Sequence, residues 1–202
     1  LKHDCYILEL SSFQLETLRS LRPKVVTILN ISPDHMDRYD SYAHYAAAKQ
    51  VILQGCEVAV VNRDDALVMA MPHDGKRVSF GLNEASTAND YGLLVQSGET
   101  WLAQGSQALL PVSAMKLPGL HNAANALASL ALGAALGLPL AAMLAAIKSF
   151  TGLPHRTQWV RERQGVNYYD DSKGTNVGAT LAALAGMPGK TVLIAGGQGK
   201  GA

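Results

Sequence analysis

Three runs of strand length are almost wholly apolar: Cys5 to Leu10 (CYILEL), Lys24 to Asn30 (KVVTILN) and Glu57 to Asn62 (EVAVVN). A strand with one wet face alternates apolar and polar side chains. A nearly continuous apolar run marks a strand covered on both faces, as in a parallel sheet with helices on either side. Between the second and third runs, Ser41 to Gln54 has an Ala-rich helical pattern. Strand, helix, strand at this spacing is a βαβ unit. The expected fold class is therefore α/β, with a mostly parallel sheet flanked by helices.

Further along, the pattern changes. Short alternating segments at Arg77–Phe80, Gly92–Val95, Thr100–Ala103 and Ala108–Val112, separated by Gly, Asn and Ser, predict a small antiparallel sheet. Helical patterns return at His121–Leu136 and Leu140–Phe150, the second opened by Pro139. Thr151-Gly152-Leu153-Pro154 is the punctuation of an interdomain linker. Beyond it lie two strand-like runs, Gln158–Arg161 and Val166–Asp170, joined at Gln164-Gly165, then a helix over Val177–Leu184 and a strand over Thr191–Ala195. The expected organisation is one domain over 1–152 and the beginning of a second α/β domain over 153–202. The chain has no initiator Met and closes on a strand and glycine turn, which reads as a piece cut at both ends.

Composition excludes some classes. A net charge of +1 with no dense Lys/Arg block gives no footing for nucleic acid. The apolar stretch from Ala123 to Leu144 is broken by Gly133, Gly137 and Pro139, so it predicts two packed helices rather than a membrane span. Cys5 and Cys56 lack metal-ligand spacing and predict reduced core thiols in a cytoplasmic protein.

Chemistry-bearing residues gather where predicted strands end, the edge at which open α/β sheets bind ligands. Glu9, followed by Ser11 and Ser12, suits a hard cation such as Mg²⁺, or is a surface acid beside a helix cap. Asp34-His35-Met36-Asp37-Arg38 could ligate a metal or steady a phosphate, or Asp34 could simply cap a short helix. Nothing in spacing or composition distinguishes Lys49 from an ordinary helical lysine. Asn122 and Asn125 share a helix face and offer paired donors and acceptors to a purine edge, while Asn122 could equally be a cap. Arg156, after His155, could clamp a phosphate. Asp170 to Asn176 places acids, Lys173 and Thr175 at a βα turn. Gly196 to Lys200 resembles a phosphate-cradling loop without the Gly-Lys-Ser/Thr ending of a P-loop.

Glu9 to Glu16 (ELSSFQLE), Asn30 to Arg38, Ala46 to Lys49, Gly119 to Asn125, Phe150 to Arg156 and Asp170 to Asn176 follow one another in the order and approximate spacing found in the Mur ligase family. The chain resembles that family along nearly its whole length, and ELSSFQLE resembles the form used by its D-glutamate-adding branch. The resemblance implies a central ATPase domain followed by the start of a Rossmann-like C-terminal domain, with a UDP-binding domain and a P-loop expected upstream. It implies an ATP-dependent ligase that works through an acyl phosphate, acts on UDP-N-acetylmuramoyl-L-alanine and D-glutamate, and functions as a cytoplasmic monomer.

By the same resemblance, Glu9 and His35 would ligate two Mg²⁺ ions. Lys49 would carry a CO₂-derived carbamate beside them, a modification that calls for a partly dry, cationic pocket. Asn122 and Asn125 would read adenine, with His121 also at the ATP site, Arg156 would touch the ATP phosphates and Asp171 the ribose. Lys173, Thr175 and Lys200 would hold D-glutamate or the reacting phosphoryl group, with His35, Lys49 and Lys173 nearest the chemistry. A sister ligase, folylpolyglutamate synthase, and a non-catalytic nucleotide-binding module are the competing readings.

Overall fold

The computed structural model describes residues 3–187 and 189–197. Six strands form one mixed sheet in the order β1-β2-β3-β4-β5-β6: β1 Val25–Ile28, β2 Val58–Asn62, β3 Lys76–Phe80, β4 Tyr91–Gln96, β5 Glu99–Gln104 and β6 Gln107–Pro111. β1, β2 and β3 run parallel, with Val26 opposite Ala59 and Val60 opposite Val78. β3 meets β4 in parallel at the single pair Phe80 and Tyr91, and β4, β5 and β6 form an antiparallel meander. β3 was expected in the meander. It pairs with β2 instead, and the antiparallel strands extend the parallel sheet rather than standing apart from it.

The period of two along β1 and β2 divides the core. Val26, Ile28, Ala59 and Val61 face one side, where they meet Tyr45, Leu53, Val68 and Met71. Val60, with the partly buried Val25 and Val58, faces the other and meets Phe80, Tyr91, Leu102, Leu127 and Leu130. Both faces of β2 are therefore dry, and its sequence has no polar alternation. Each such side chain contributes about 1.5–3 kcal/mol on burial.

The first face is covered by α2 (Tyr42–Gln50), a following 3₁₀ turn (Val51–Leu53) and α3 (Ala66–Ala70). Ser41 caps α2 through His44 N–H, and Asp65 caps α3 through the N–H groups of Leu67 and Val68. The second face is covered by α4 (Leu120–Ala135), whose buried Ala123, Ala126, Leu127, Leu130 and Ala131 follow the helical stripe i, i+3, i+4, i+7, i+8. α5 (Leu140–Ser149) packs on α4. The apolar stretch from Ala123 is thus two packed helices, and no helix among the described residues is long and apolar enough to cross a membrane.

After residues 151–154, which form neither helix nor strand, β7 (Gln158–Arg163) and β8 (Val166–Asp170) make a two-stranded hairpin. Its turn residues Gln164 and Gly165 both have positive φ, the geometry that matches hairpin twist. α6 (Val177–Ala185) follows, capped by Asn176 through Ala179 N–H.

Two expected strands are absent. Residues 5–10 and 191–195 form no strand, with Ile7 93% and Ile194 95% exposed. An apolar run becomes a strand only when a neighbour takes up its backbone N–H and C=O groups, and no other described strand lies alongside either run. Cys5 consequently is exposed rather than a core thiol, while Cys56 is buried. A short helix, α1 (Ser12–Glu16), follows the first run, closed by a capping box between Ser11 and Gln14.

Candidate active site

The loop after β1 is held by residues at the end of β2. Asn62 Nδ2 donates to Leu29 O (2.8 Å), Ile31 N donates to Asp65 Oδ2 (2.8 Å) and the Tyr42 hydroxyl donates to Ile31 O (2.8 Å). This carries the chain past the C-terminal edge of the sheet to Asp34 and His35. Asp34 caps no helix: its Oδ1 accepts His35 N–H at 2.9 Å and its Oδ2 accepts from Asn176 Nδ2 at 3.2 Å. His35 adopts φ 56°, a left-handed conformation uncommon outside glycine, and its ring stands edge-on to Phe13 at 5.0 Å.

Lys49 lies half-buried in the last turn of α2, with its ammonium 5.0 Å from the centre of the Tyr45 ring. Burial pushes the Lys49 amine below the ordinary lysine value, while the nearby carboxylates of Asp34 and Glu9 pull it back up. Glu9, Asp34, His35 and Lys49 are therefore neighbours in one electrostatic cluster. The Lys49 side chain is partly dry, and the charges that pull its amine up are the carboxylates of Asp34 and Glu9. Glu9 itself is exposed. Among the described residues, no three His, Cys, Asp or Glu side chains are grouped so as to hold a metal ion.

The second group lies around the start of α4. His121 is half-buried, with its ring against the backbone of Gly119 and Gly186. Burial lowers its pKa, against the pull of Asp171, which favours the neutral imidazole. Asn122 Nδ2 donates to Pro118 O at 2.7 Å, which commits one amide hydrogen to the backbone, and Asn125 is exposed. Gly119 stands at the helix cap position and accepts from Asn122 N and Ala123 N.

The third group binds the linker to the turn after β8. Asp171 Oδ1 accepts Thr157 N–H at 2.8 Å, and Lys173 N donates to His155 O at 3.1 Å. His155 pairs with Asp170 at 2.7 Å, and that contact, with Ser172, holds the Asp170 carboxyl down at about 2. Arg156, Lys173 and Thr175 are exposed around this turn, and Lys200 lies outside the described residues.

Asp171 reaches the second group electrostatically, and Asn176 reaches the first by a hydrogen bond, so the turn after β8 touches both. Asp34 is the member that sequence reasoning left without a role. Its partners lie at positions 35, 49 and 176, and only the first is local.

The sequence profile described as the Mur ligase middle domain matches residues 1–133. The chain belongs to the Mur ligase family. It is 56% identical to the UDP-N-acetylmuramoylalanine–D-glutamate ligase of Pseudomonas aeruginosa, with 98% of this chain and 45% of that one aligned. To the enzyme of the same name from Methylobacillus flagellatus it is 54% identical, over 98% of this chain and 44% of the relative. The chain thus spans just under half the length of these curated relatives.

Among solved Mur ligases, the Thermotoga maritima UDP-N-acetylmuramate–alanine ligase matches with a TM-score of 0.61 at 27% identity, over 80% of this chain and 36% of that one. A pseudomurein peptide ligase type C from Methanothermus fervidus shares the fold, with a TM-score of 0.68 at 18% identity over 84% and 42%.

Proposed function

We propose that the protein containing this chain joins D-glutamate to UDP-N-acetylmuramoyl-L-alanine in an ATP-driven reaction of peptidoglycan synthesis. The observation that carries this reading is 56% identity, over 98% of the chain, to a relative named for that ligation. Identity to a relative named for adding alanine is 27%.

The chemistry follows the acyl-phosphate route. The γ-phosphoryl group of ATP passes to the carboxylate of the muramoyl-alanine substrate, and ADP leaves. The neutral amine of D-glutamate attacks the acyl carbon, the tetrahedral adduct expels inorganic phosphate, and loss of a proton leaves the amide. Anionic charge crowds at every stage, so the site needs cations.

The carboxylates of Glu9 and Asp34, His35, and Lys49 once carbamylated, are the groups offered to Mg²⁺. The carboxylates and the carbamate are oxygen donors of the kind Mg²⁺ takes; because no three of the described His, Asp and Glu side chains are grouped around one point, waters and substrate phosphates would have to complete its shell. Bound there, the ions would supply charge neutralisation at the transferring phosphoryl group.

Asn122 and Asn125 are assigned to adenine, with His121 also at the ATP site. The free amide of Asn125 and the remaining donor and acceptor of Asn122 suit a purine edge. Arg156 is assigned to the ATP phosphates, Asp171 to the ribose through its second oxygen, and Lys173, Thr175 and Lys200 to D-glutamate or the phosphoryl group. The competition experiment offers the intact natural protein ATP, UDP-N-acetylmuramoyl-L-alanine and an equimolar mixture of D-glutamate, L-glutamate, L-alanine and diaminopimelate, and identifies the product by mass. A D-glutamyl product is expected. Incorporation of any other amino acid in preference would overturn the assignment.

A further inference from the structure

α6 sits close against the loop that follows β1. A Cβ placed on Gly178 would lie 3.1 Å from Ser32 Oγ. A cavity of about 320 Å³ at this seam is lined by Asn30, Ile31 and Ser32 from the loop and by Asn176, Gly178 and Ala179 from α6. At its rim Asn176 uses both ends of its amide. Oδ1 accepts Ala179 N–H at 2.8 Å and so caps α6, and Nδ2 donates to Asp34 Oδ2 at 3.2 Å, across 142 positions of sequence. Asp34 divides its carboxylate likewise, with Oδ1 on His35 N–H at 2.9 Å. One side chain thus links the start of a helix in the C-terminal part of the chain to the backbone of His35.

We propose that Asn176 is a positioning residue: its hydrogen bond to Asp34 seats α6 on the loop after β1 and orients the Asp34 carboxylate and the His35 backbone within the Glu9–Asp34–His35–Lys49 cluster. The consequence is a coupling. The cluster takes its working geometry only when α6 is docked, so a movement of the C-terminal part would be felt at Lys49 without any contact between Lys49 and that part. Among the described residues, no other side-chain hydrogen bond joins α6 to this loop. Asn62, Asp65 and Tyr42 hold the loop at Leu29 and Ile31, and Asp34 lies beyond their reach in the chain. This rests on the ligase reading for its effect on turnover, but not for its effect on structure, and the experiment separates the two.

The test uses the intact natural protein containing this chain and two variants. Asn176→Ser keeps an oxygen to cap α6, at which Ser and Asn are nearly equivalent, but removes the amide donor. Asn176→Asp also caps, and sets two carboxylates against each other. Hydrogen–deuterium exchange of the peptide covering residues 31–38 is read first. It is expected to quicken at least about fivefold in both variants, while α6 and the β2 peptide keep their protection. A residue that only capped its helix would alter α6 and leave 31–38 alone.

Turnover is read second. Loss of a hydrogen bond to a charged group is expected to lower kcat by about tenfold or more, with KM for ATP changed less than about threefold. Wild-type exchange at 31–38 in both variants would overturn the inference. So would faster exchange with unchanged kcat in an active enzyme. Faster exchange in a protein whose wild type makes no D-glutamyl product would uphold the tie between Asn176 and Asp34 and remove the functional reading instead.

Discussion

Tyr45 and Lys49 stand one turn apart on α2, and the Lys49 ammonium lies 5.0 Å from the centre of the Tyr45 ring. The spacing i, i+4 brings the two side chains onto the same strip of helix. The ring covers part of the lysine and lends it a face of negative potential. That face favours the cation, as do Asp34 and Glu9; burial outweighs them, so the neutral form, the one that reacts with CO₂, is populated at a lower pH than in free lysine.

Lys49→Ala should leave the fold nearly intact. Alanine is the best helix former, which offsets most of the ~0.5–1 kcal/mol of a partly exposed cation–π contact. The expected result is a melting temperature close to wild type and a loss of turnover of at least about a hundredfold, the scale for a residue at the reacting phosphoryl group. With ¹³C-bicarbonate, a carbamate carbon signal should be present in the wild type and absent in the variant. Full activity in Lys49→Ala would return the residue to the ranks of ordinary helical lysines.

The two asparagines of α4 should behave differently. Asn125 is exposed and Asn122 is bonded to Pro118 O. Asn125→Ala is expected to weaken ATP binding about tenfold or more by calorimetry, with binding of the UDP substrate and the melting temperature unchanged. Asn122→Ala should lower stability as well, by about 0.5–1.5 kcal/mol for a lost side-chain to backbone bond. Equal losses for both ligands in Asn125→Ala would remove adenine from this helix.

Acid stability should be sensitive to Asp90. This buried carboxylate accepts Ser79 N–H at 2.6 Å and the Thr87 hydroxyl at 2.9 Å, and holds the turn between β3 and β4. Burial alone would raise its pKa, but those bonds and the charge of Arg63 outweigh burial and bring it below the ordinary Asp value. A depressed carboxylate stabilises the fold above the unfolded pKa, about 4, and that stability drains away as pH falls through the lower folded value. Asp90→Asn is expected to destabilise by about 1–3 kcal/mol at pH 7, and by less at pH 3, in urea melts. An equal difference at both pH values would contradict the assignment.

Leu127 lies fully buried between α4 and the sheet. Leu127→Ala should cost about 2–5 kcal/mol in chemical denaturation. A cost under about 1 kcal/mol would mean that α4 does not cover this face in solution.

How much could be read from the sequence depended on how far apart the interacting residues are. β1, β2, α2, α4 and α5 were legible because each is specified by its own residues and by the dry or wet surfaces they demand. The run at 5–10 is nearly as apolar as β2, yet it forms no strand, because pairing depends on a neighbour that composition does not reveal. β3 looked like part of the meander because Arg77–Phe80 is a short alternating run like those that follow it, although the whole of Lys76–Phe80 pairs with β2. In the candidate site, residues at strand ends could be singled out by position, and roles could be proposed for them only by resemblance. Asp34 was not legible, since Asn176 and Lys49 define what it does and neither lies near it in the chain. That Glu9 and Asp34 both bear on Lys49 was not legible either, because they approach it from separate segments.

The central claim, a D-glutamate ligase centred on the cluster around Lys49, is tested most directly by phosphate release from ATP. The intact natural protein is assayed with UDP-N-acetylmuramoyl-L-alanine, with D-glutamate, with both, and with both in Lys49→Ala. The account predicts sustained phosphate release only when both substrates are present, and its near-abolition in the variant. Release that is indifferent to D-glutamate, or that survives undiminished in Lys49→Ala, would contradict it.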